Sequence, residues 1–367
     1  MTVGFYSPLP PARTGVAAYA SALLAGLRRF GPVQVEPRRA DVRLYHLGNN
    51  PRHRDIYWQA LLRPGVAVLH DAVLNHFFLG VLERDSYLDE FTYNYGEWTR
   101  GLAEELWSGR GRSAQDPRYF QYGMLKRVAG RSRLVIVHNP AAAARVAGQA
   151  PKTRVVEIPH LFCPPALPAL SQAVRFRQES GLGPRTFLFG VFGHLRESKR
   201  LRTVLRAFQA VRRAGAGVAL LVAGEVASSD LARAAAPLLA GPGILRVGYA
   251  PEGEFWKLAC ATDACINLRY PPAGETSGIA VRLMGIGKPV LVTTGLETSR
   301  FPESACLRVD PGPAEQEMLT AYMLWLARSP QAAREIGRRA GEHIRQRHAL
   351  PAVAAQYWET LEQACLS

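Results

Sequence analysis

Gly274-Glu275-Thr276-Ser277-Gly278-Ile279-Ala280-Val281-Arg282-Leu283-Met284-Gly285-Ile286-Gly287-Lys288-Pro289-Val290 is the stretch on which the fold turns. It reads as a loop with one carboxylate, two hydroxyls and a glycine, opening into a helix near Thr276 and then into a strand over Val290–Thr293. The first N–H groups of a helix have no intrahelical partner and lie at the positive end of its dipole, so they suit a phosphate. A carboxylate beside them suits sugar hydroxyls, because it accepts hydrogen bonds strongly. The same residues also make an ordinary capped helix, and the loop alone leaves both readings open.

Outward from this loop, strands and helices alternate almost throughout. Val3–Ser7, Val33–Val35, Val42–His46, Val66–His70, Leu134–His138 and Val155–Pro159 read as strands, with helices at Gly15–Phe30 and Pro140–Ala147. A Pro-rich stretch, 159–168, breaks the pattern, because proline restricts itself and the residue before it. A second unit follows. It has strands at 187–193, Ala219–Ala223, Leu245–Val247 and Ala264–Leu268, and helices at Lys199–Ala214 and Leu231–Leu239. Continuous apolar strands between helices indicate parallel sheets covered on both faces. The expected domains are residues 1–165, residues 166–348 and a closing helix over 349–367. Residues 85–130 break the alternation with a helical, aromatic-rich insertion carrying Tyr87, Phe91, Tyr93, Trp98, Trp107 and Tyr119. Such a set packs as core or lid, or serves as a binding surface.

Composition narrows the classes. The 367 residues are 48% hydrophobic and 20% charged, which suits two cored domains and excludes disorder. No apolar run reaches the roughly 18 residues of a spanning helix, and the start lacks the layout of a signal peptide. Five cysteines, odd in number and without zinc spacing, with Cys260 and Cys265 in an apolar stretch that reads as core, point to a reducing cytoplasmic setting. Net charge is +15, nearly all of it from arginine, with a basic first stretch that includes Arg28, Arg29, Arg38, Arg39, Arg52 and Arg54. A basic face suits anionic lipid, nucleic acid or phosphorylated ligands, or is simply solvated. With no zinc-finger spacing, RNA-binding strand motif or heptad repeat, nucleic acid ranks last.

Three further sites carry chemistry-bearing residues. Ser7–Gly15 is a strand-to-helix loop closed by Gly15, suited to an anion or acceptor. Gly193-His194-Leu195-Arg196-Glu197-Ser198-Lys199-Arg200 clusters cations just past a strand end. Lys199 is one of only five lysines, and a diphosphate there would meet it together with Arg196 or Arg200. His70 closes a strand of the first domain, where it is either a ligand contact or a satisfied structural residue.

Here the sequence resembles the family-4 retaining glycosyltransferases. Gly193-His194-Leu195 with Lys199 resembles the family's G-R-L-x-x-x-K-G element. Ala223-Gly224-Glu225 resembles its A/V-G-x-G strand end, and Gly248-Tyr249-Ala250-Pro251 with Glu254 its G-Y/F-V-P-x-x-E-L segment. Glu275 to Val290 resembles E-G-F-G-x-x-x-x-E-A-M-A-x-G-K-P-V, and Thr14-Gly15 the N-terminal Gly-Gly loop. The likeness covers nearly the whole chain, strongly in the second domain and weakly between Asp85 and Gly130.

The resemblance implies an α/β, GT-B architecture of two Rossmann-like, doubly wound domains facing across a cleft, with the last helix returning to the first domain. It implies metal-independent transfer of a hexose from a nucleoside diphosphate sugar, UDP or GDP being the expected nucleotide, with retention and with no cofactor. Glu275 and His70 would face the transferred sugar. Ser277, Gly278 and Ile279 would cradle the diphosphate with Thr276 beside them, and Lys199 would neutralise it. His194, Arg196, Arg200, Gly193, Gly224, Glu225 and Arg282 would line the donor site, with Gly248 and Tyr249 near the base and Gly15 near diphosphate or acceptor. The acceptor would be a glycan, a lipid-linked sugar or a small molecule, and the basic first domain would suit an anionic membrane surface. Two departures stand out. His194 replaces the family's arginine, and Arg282 stands where the family has the second glutamate of its pair. An arginine cannot accept a hydrogen bond, so it would pair with phosphate or with Glu275 instead. These departures also fit a degenerate GT-B protein acting as partner or scaffold, and the resemblance leaves room for another GT-B enzyme, such as an epimerase or a sugar phosphorylase.

Overall fold

The computed structural model describes residues 1–12 and 14–366. It forms two units, one made of Met1–Cys163, Pro271–Thr276 and the residues from Arg347 onward, the other of Pro164–Tyr270 and Ser277–Gln346.

The first unit is built on β1 (Val3–Tyr6), β2 (Val33–Val35), β3 (Val42–Leu47), β4 (Val66–Leu69), β5 (Leu134–Val137) and β6 (Val155–Glu157). All pair in parallel in the order β2-β1-β3-β4-β5-β6. Every residue of β1, β4 and β5 is buried, because helices cover both faces. The period-2 pleat divides each strand between two cores. Val66 and Val68 pack with the helix Gly15–Leu27 and the last helix, Leu350–Leu366, whereas Ala67 and Leu69 pack with the helices of the 85–130 region. The last helix lies close on the first one. A Cβ on Gly26 would fall 3.0 Å from the Ala354 Cβ, and the Tyr19 and Tyr357 hydroxyls share a buried 2.9 Å hydrogen bond. The insertion is helical, and most of its aromatics are core. Tyr87, Phe91 and Tyr119 are buried against the sheet, while Tyr93 and Trp98 stay exposed.

The second unit carries β7 (Phe187–Phe192), β8 (Val218–Ala223), β9 (Ile244–Val247), β10 (Ala264–Asn267), β11 (Val290–Thr293) and β12 (Leu307–Val309). Their order, β12-β11-β10-β7-β8-β9, is all parallel and is the Rossmann arrangement, with its switch point between β7 and β10. In the first unit the corresponding reversal lies between β1 and β3.

The chain departs from the sequence reading in a few places. β12 was not expected: it is three residues long, and Arg308 interrupts its apolar run. The helices Asn75–Val81, Leu170–Glu179 and Glu252–Ala261 also lie outside the expected set. The opening helix starts at Gly278, two residues later than expected, capped by Ser277 Oγ accepting from Ala280 N. Most consequentially, Pro271–Thr276 groups with the first unit although it was placed in the second domain. Hydrogen bonds account for this. Ala72 N donates to Ala273 O at 2.8 Å, and Asn139 Nδ2 donates to Gly274 O and Thr276 Oγ1, both at 2.9 Å. Gly274 has φ +74, and a Cβ there would fall 2.6 Å from the Ala72 Cβ. Among the described residues, no helix is long and apolar enough to cross a membrane.

Candidate functional site

Ligands of open parallel sheets bind beyond the carboxyl ends of the strands at the switch point. In the second unit that place holds the β7 exit and the β10 exit. Gly193 leaves β7 with φ +88, and its N–H donates to Ala223 O. Leu195 N donates to Glu225 O and Ala227 N to Leu195 O, which ties the β7 loop to the β8 loop. Lys199 closes a 3-10 turn, Glu197–Lys199, and is buried. Its ammonium donates to Phe192 O at 2.7 Å. A Cβ on Gly193 would lie 3.1 Å from the Lys199 Nζ and 3.4 Å from the Ile279 side chain, so the ammonium and the start of helix Gly278–Gly285 share one small space. Ala280 N is capped by Ser277, leaving the Gly278 and Ile279 N–H groups outside the helical ladder.

Arg269 was not among the expected site residues. It follows β10, and its guanidinium donates to Ser277 Oγ at 3.4 Å while its N–H donates to Thr293 Oγ1. Its position after a strand's carboxyl end was the signal that could have found it. Arg196 is exposed and His194 partly exposed at the β7 loop. Partial burial, then the positive Arg196 and Lys199, hold the His194 imidazole below its usual pKa. Chemically, this is a small basin of positive charge: an ammonium, guanidinium groups and a helix start, suited to a diphosphate.

Two expected donor contacts are taken up otherwise. Arg200 has φ +56, and its guanidinium is bound at two nitrogens by the buried Glu315, Nε to Oε2 at 2.8 Å. Arg282, expected to pair with phosphate or Glu275, is engaged within its own unit: its Nη2 meets Glu252 at 2.5 Å and its guanidinium lies over the Phe255 and Trp256 rings, 4.2 and 4.4 Å from their centroids. Gly224 has a packing role. With φ +144, it lies so close to the Gly193 carbonyl that a Cβ would sit 2.0 Å from that oxygen. Glu225 is exposed beside it, and Gly248 with the half-exposed Tyr249 follows β9.

In the first unit, Gly15 opens the first helix with free space where a Cβ would stand, and Thr14 caps that helix by accepting from Ala17 N at 3.0 Å. Glu275 is half-buried, and its Oε2 accepts from Ala273 N at 2.8 Å. Thr276 is committed to backbone support through Asn139 and the His138 carbonyl. His70 lies at the β4 exit within a group of imidazoles that the sequence reading missed. Its Nε2 is 2.9 Å from His46 Nδ1, and its ring lies about 5 Å from those of Tyr19 and His138. Burial, then the neighbouring histidines, hold His70 and His46 well below the usual histidine range, and burial takes His53 and His138 to about 4. Among the described residues, no three His, Cys, Asp or Glu side chains are gathered as metal ligands.

Two parallel doubly wound units of these topologies define the GT-B fold, and solved structures agree. The chain is similar to a sucrose-phosphate synthase from Thermosynechococcus elongatus, at 15% identity over 99% of this chain and 98% of that one, with a TM-score of 0.68. It is similar to Anabaena HepE in complex with UDP and glucose, at 16% identity over 99% and 100%, TM-score 0.67. It is also similar to WaaG, a glycosyltransferase involved in lipopolysaccharide biosynthesis, at 12% identity over 98% and 99%, TM-score 0.61. No protein-family model matches the sequence, and no curated protein matches it by sequence.

Proposed function

We propose that the chain is a retaining, metal-independent glycosyltransferase that moves a hexose from a nucleoside diphosphate sugar to a glycan, lipid-linked or small-molecule acceptor. One observation carries this reading: the buried Lys199 ammonium held against Gly193 beside the start of helix Gly278–Gly285, at the switch point of a Rossmann-ordered sheet. The departing diphosphate gathers negative charge in the transition state. Fixed cations and helix-start N–H groups stabilise that charge without reorganising. Lys199, Arg269, Arg196 and the Gly278 and Ile279 N–H groups are assigned to the diphosphate, Gly248 and Tyr249 to the base, and Glu275 and His70 to the sugar hydroxyls. UDP, found with the similar HepE, is the first nucleotide to test, ahead of GDP. The basic first stretch suits an anionic membrane surface, with the protein acting peripherally in the cytoplasm.

The test is a thermal-shift series with UDP, GDP, ADP, dTDP and their sugar conjugates in EDTA. A nucleotide at a hundredfold excess over its Kd stabilises by about 2.7 kcal/mol, a rise of several degrees in Tm for units of this size. One responder whose sugar conjugate is turned over in EDTA supports the reading, as does loss of both in a folded Lys199→Ala variant. A fully active, folded Lys199→Ala protein refutes the assigned role of the cation. No response to any nucleotide favours a catalytically degenerate GT-B scaffold, a reading to which the engaged Arg282 already lends weight.

A further inference from the structure

β3 and the exit of β4 bring two imidazoles into direct contact. His46 Nδ1 lies 2.9 Å from His70 Nε2, the rings are within 20° of parallel, and the His70 backbone N–H donates to Leu47 O. With both rings neutral, a single hydrogen lies between them, and it belongs to one ring or the other. If His70 owned it, His46 would carry its own proton on Nε2. That atom is fully buried and has no hydrogen-bond partner. A buried N–H without an acceptor is rare and expensive, whereas a bare acceptor nitrogen is the lesser cost. The proton therefore sits on His46 Nδ1 and is donated to His70.

The neighbours follow the same rule. His53 Nδ1 donates to His46 O and His138 Nδ1 to Ile158 O, both at 2.9 Å, and each leaves Nε2 bare and buried. Three imidazoles thus share one tautomer, each set by the partner at Nδ1. His70, with its Nε2 accepting, is left with its one proton on Nδ1. Of the pair, His70 alone keeps a solvent-facing edge, 9% exposed against 0% for His46. Among the described residues, Nδ1 of His70 is the one ring nitrogen of the pair left for a ligand.

We infer that His46 is a positioning residue that locks His70 in the Nδ1–H tautomer, so that His70 meets the donor sugar as a hydrogen-bond donor and not as a base. The sugar as ligand rests on the glycosyltransferase reading, but the tautomer does not. The groups facing His70 are Tyr19 from the first helix, His138 after β5, His160 after β6 and His53 just before the helix Arg54–Leu62. Asp71 follows in the chain, its Oδ2 accepting from Asn49 N. Protonating His70 would place a proton on Nε2 against the His46 N–H, so the lock also opposes the charged form.

Two substitutions separate the lock from packing. His46→Phe keeps a buried ring and removes the donor, whereas His46→Asn returns an N–H donor near the place of Nδ1. Imidazole-15N spectra, assigned by loss of one signal in His70→Asn, should show a protonated Nδ1 and a bare Nε2 on His70 in the unaltered protein, and mixed tautomers in His46→Phe. With the donor nucleotide identified by thermal shift, kcat should fall roughly 10- to 100-fold in His46→Phe, the scale seen when the partner that orients a metal-bound histidine is lost. The acid limb of its pH profile should move up, and His46→Asn should restore both. A proton found on His70 Nε2 in the unaltered protein overturns the inference. So does a folded His46→Phe variant with unchanged kcat and pH profile. If His46→Phe does not fold, the spectra of the unaltered protein and His46→Asn decide. If the tautomer is as stated but no nucleotide sugar is turned over, the glycosyltransferase reading falls and the lock stands.

Discussion

Gly224→Ala is the sharpest test of how the β7 exit is built. The new methyl carbon would stand 2.0 Å from the Gly193 oxygen and 2.8 Å from its carbonyl carbon. Contacts under 3.0 Å are not tolerated against backbone, so one strand exit has to retreat by about 1 Å. The Gly224 φ of +144 adds strain for any L side chain. Backbone strain of this kind costs about 1–3 kcal/mol, and forced repacking about 1–3 kcal/mol more. The expected loss is therefore about 2–6 kcal/mol, a large part of a stability that is typically about 5–15 kcal/mol. The functional effect should be disproportionate, because the displaced peptide neighbours the Lys199 ammonium. A misplacement of about 1 Å in a binding site can cost on the order of 100-fold. The assay pairs urea unfolding with nucleotide titration, using Gly148→Ala as control: it is a helical position with open space where the methyl would stand. The control should be neutral or stabilising by up to about 1 kcal/mol. Gly224→Ala with control-like stability and unaltered nucleotide affinity would refute the close packing of the two strand exits.

Arg200→Ala should lower stability by about 2–4 kcal/mol, because it strands the buried Glu315 carboxylate while Arg200 itself is a third exposed. Nucleotide affinity, measured by calorimetry, should stay within a factor of about two, whereas a phosphate-binding arginine would lose far more. Acid should destabilise the first unit early. His53 and His138 have folded pKa values near 4 against 6.5 when unfolded, so the unfolded chain binds more protons below pH 6.5. Their contribution is complete above that value and is lost as pH falls toward 4. The loss is about 2 kcal/mol for each at pH 5, with His46 and His70 acting in the same direction. Urea midpoints that stay constant from pH 7.5 to 5 would contradict it.

Periodicity carried the architecture because burial on both faces writes itself locally. β7 and β8 are unbroken apolar runs, and each is a buried strand. Short elements escape the same logic. In β12, hydrogen bonding to β11 makes the strand, and no apolar run announces it. The loop at 271–276 escapes for another reason. Its carboxylate and hydroxyls look alike whether they await a ligand or serve the backbone. Only the position of Asn139, more than 130 residues earlier in the chain, decides that Thr276 is an anchor. The imidazole group was illegible for the same cause: His46, His53, His70 and His138 lie on separate elements, and only the β3-β4-β5 pairing gathers them.

Arg282 shows the limit most clearly, because its meaning depends on three residues about 30 positions away. Read alone, it is a charge reversal at a position where a carboxylate is expected. In place, its guanidinium covers the faces of Phe255 and Trp256, while Glu252 holds both Arg282 and the Trp256 indole N–H, the latter at 2.7 Å. The faces of aromatic rings carry negative potential, which attracts a guanidinium and would repel a carboxylate in the same position. An arginine at 282 and an aromatic pair at 255 and 256 therefore suit each other, and a glutamate restored at 282 would sit badly on this platform. Phe255 in turn meets Phe192, whose carbonyl receives the Lys199 ammonium. The substitution is thus one part of a matched set continuous with the cation basin. The carboxylate absent at 282 has a counterpart in Glu252, whose side chain is largely exposed and is fixed by two donors.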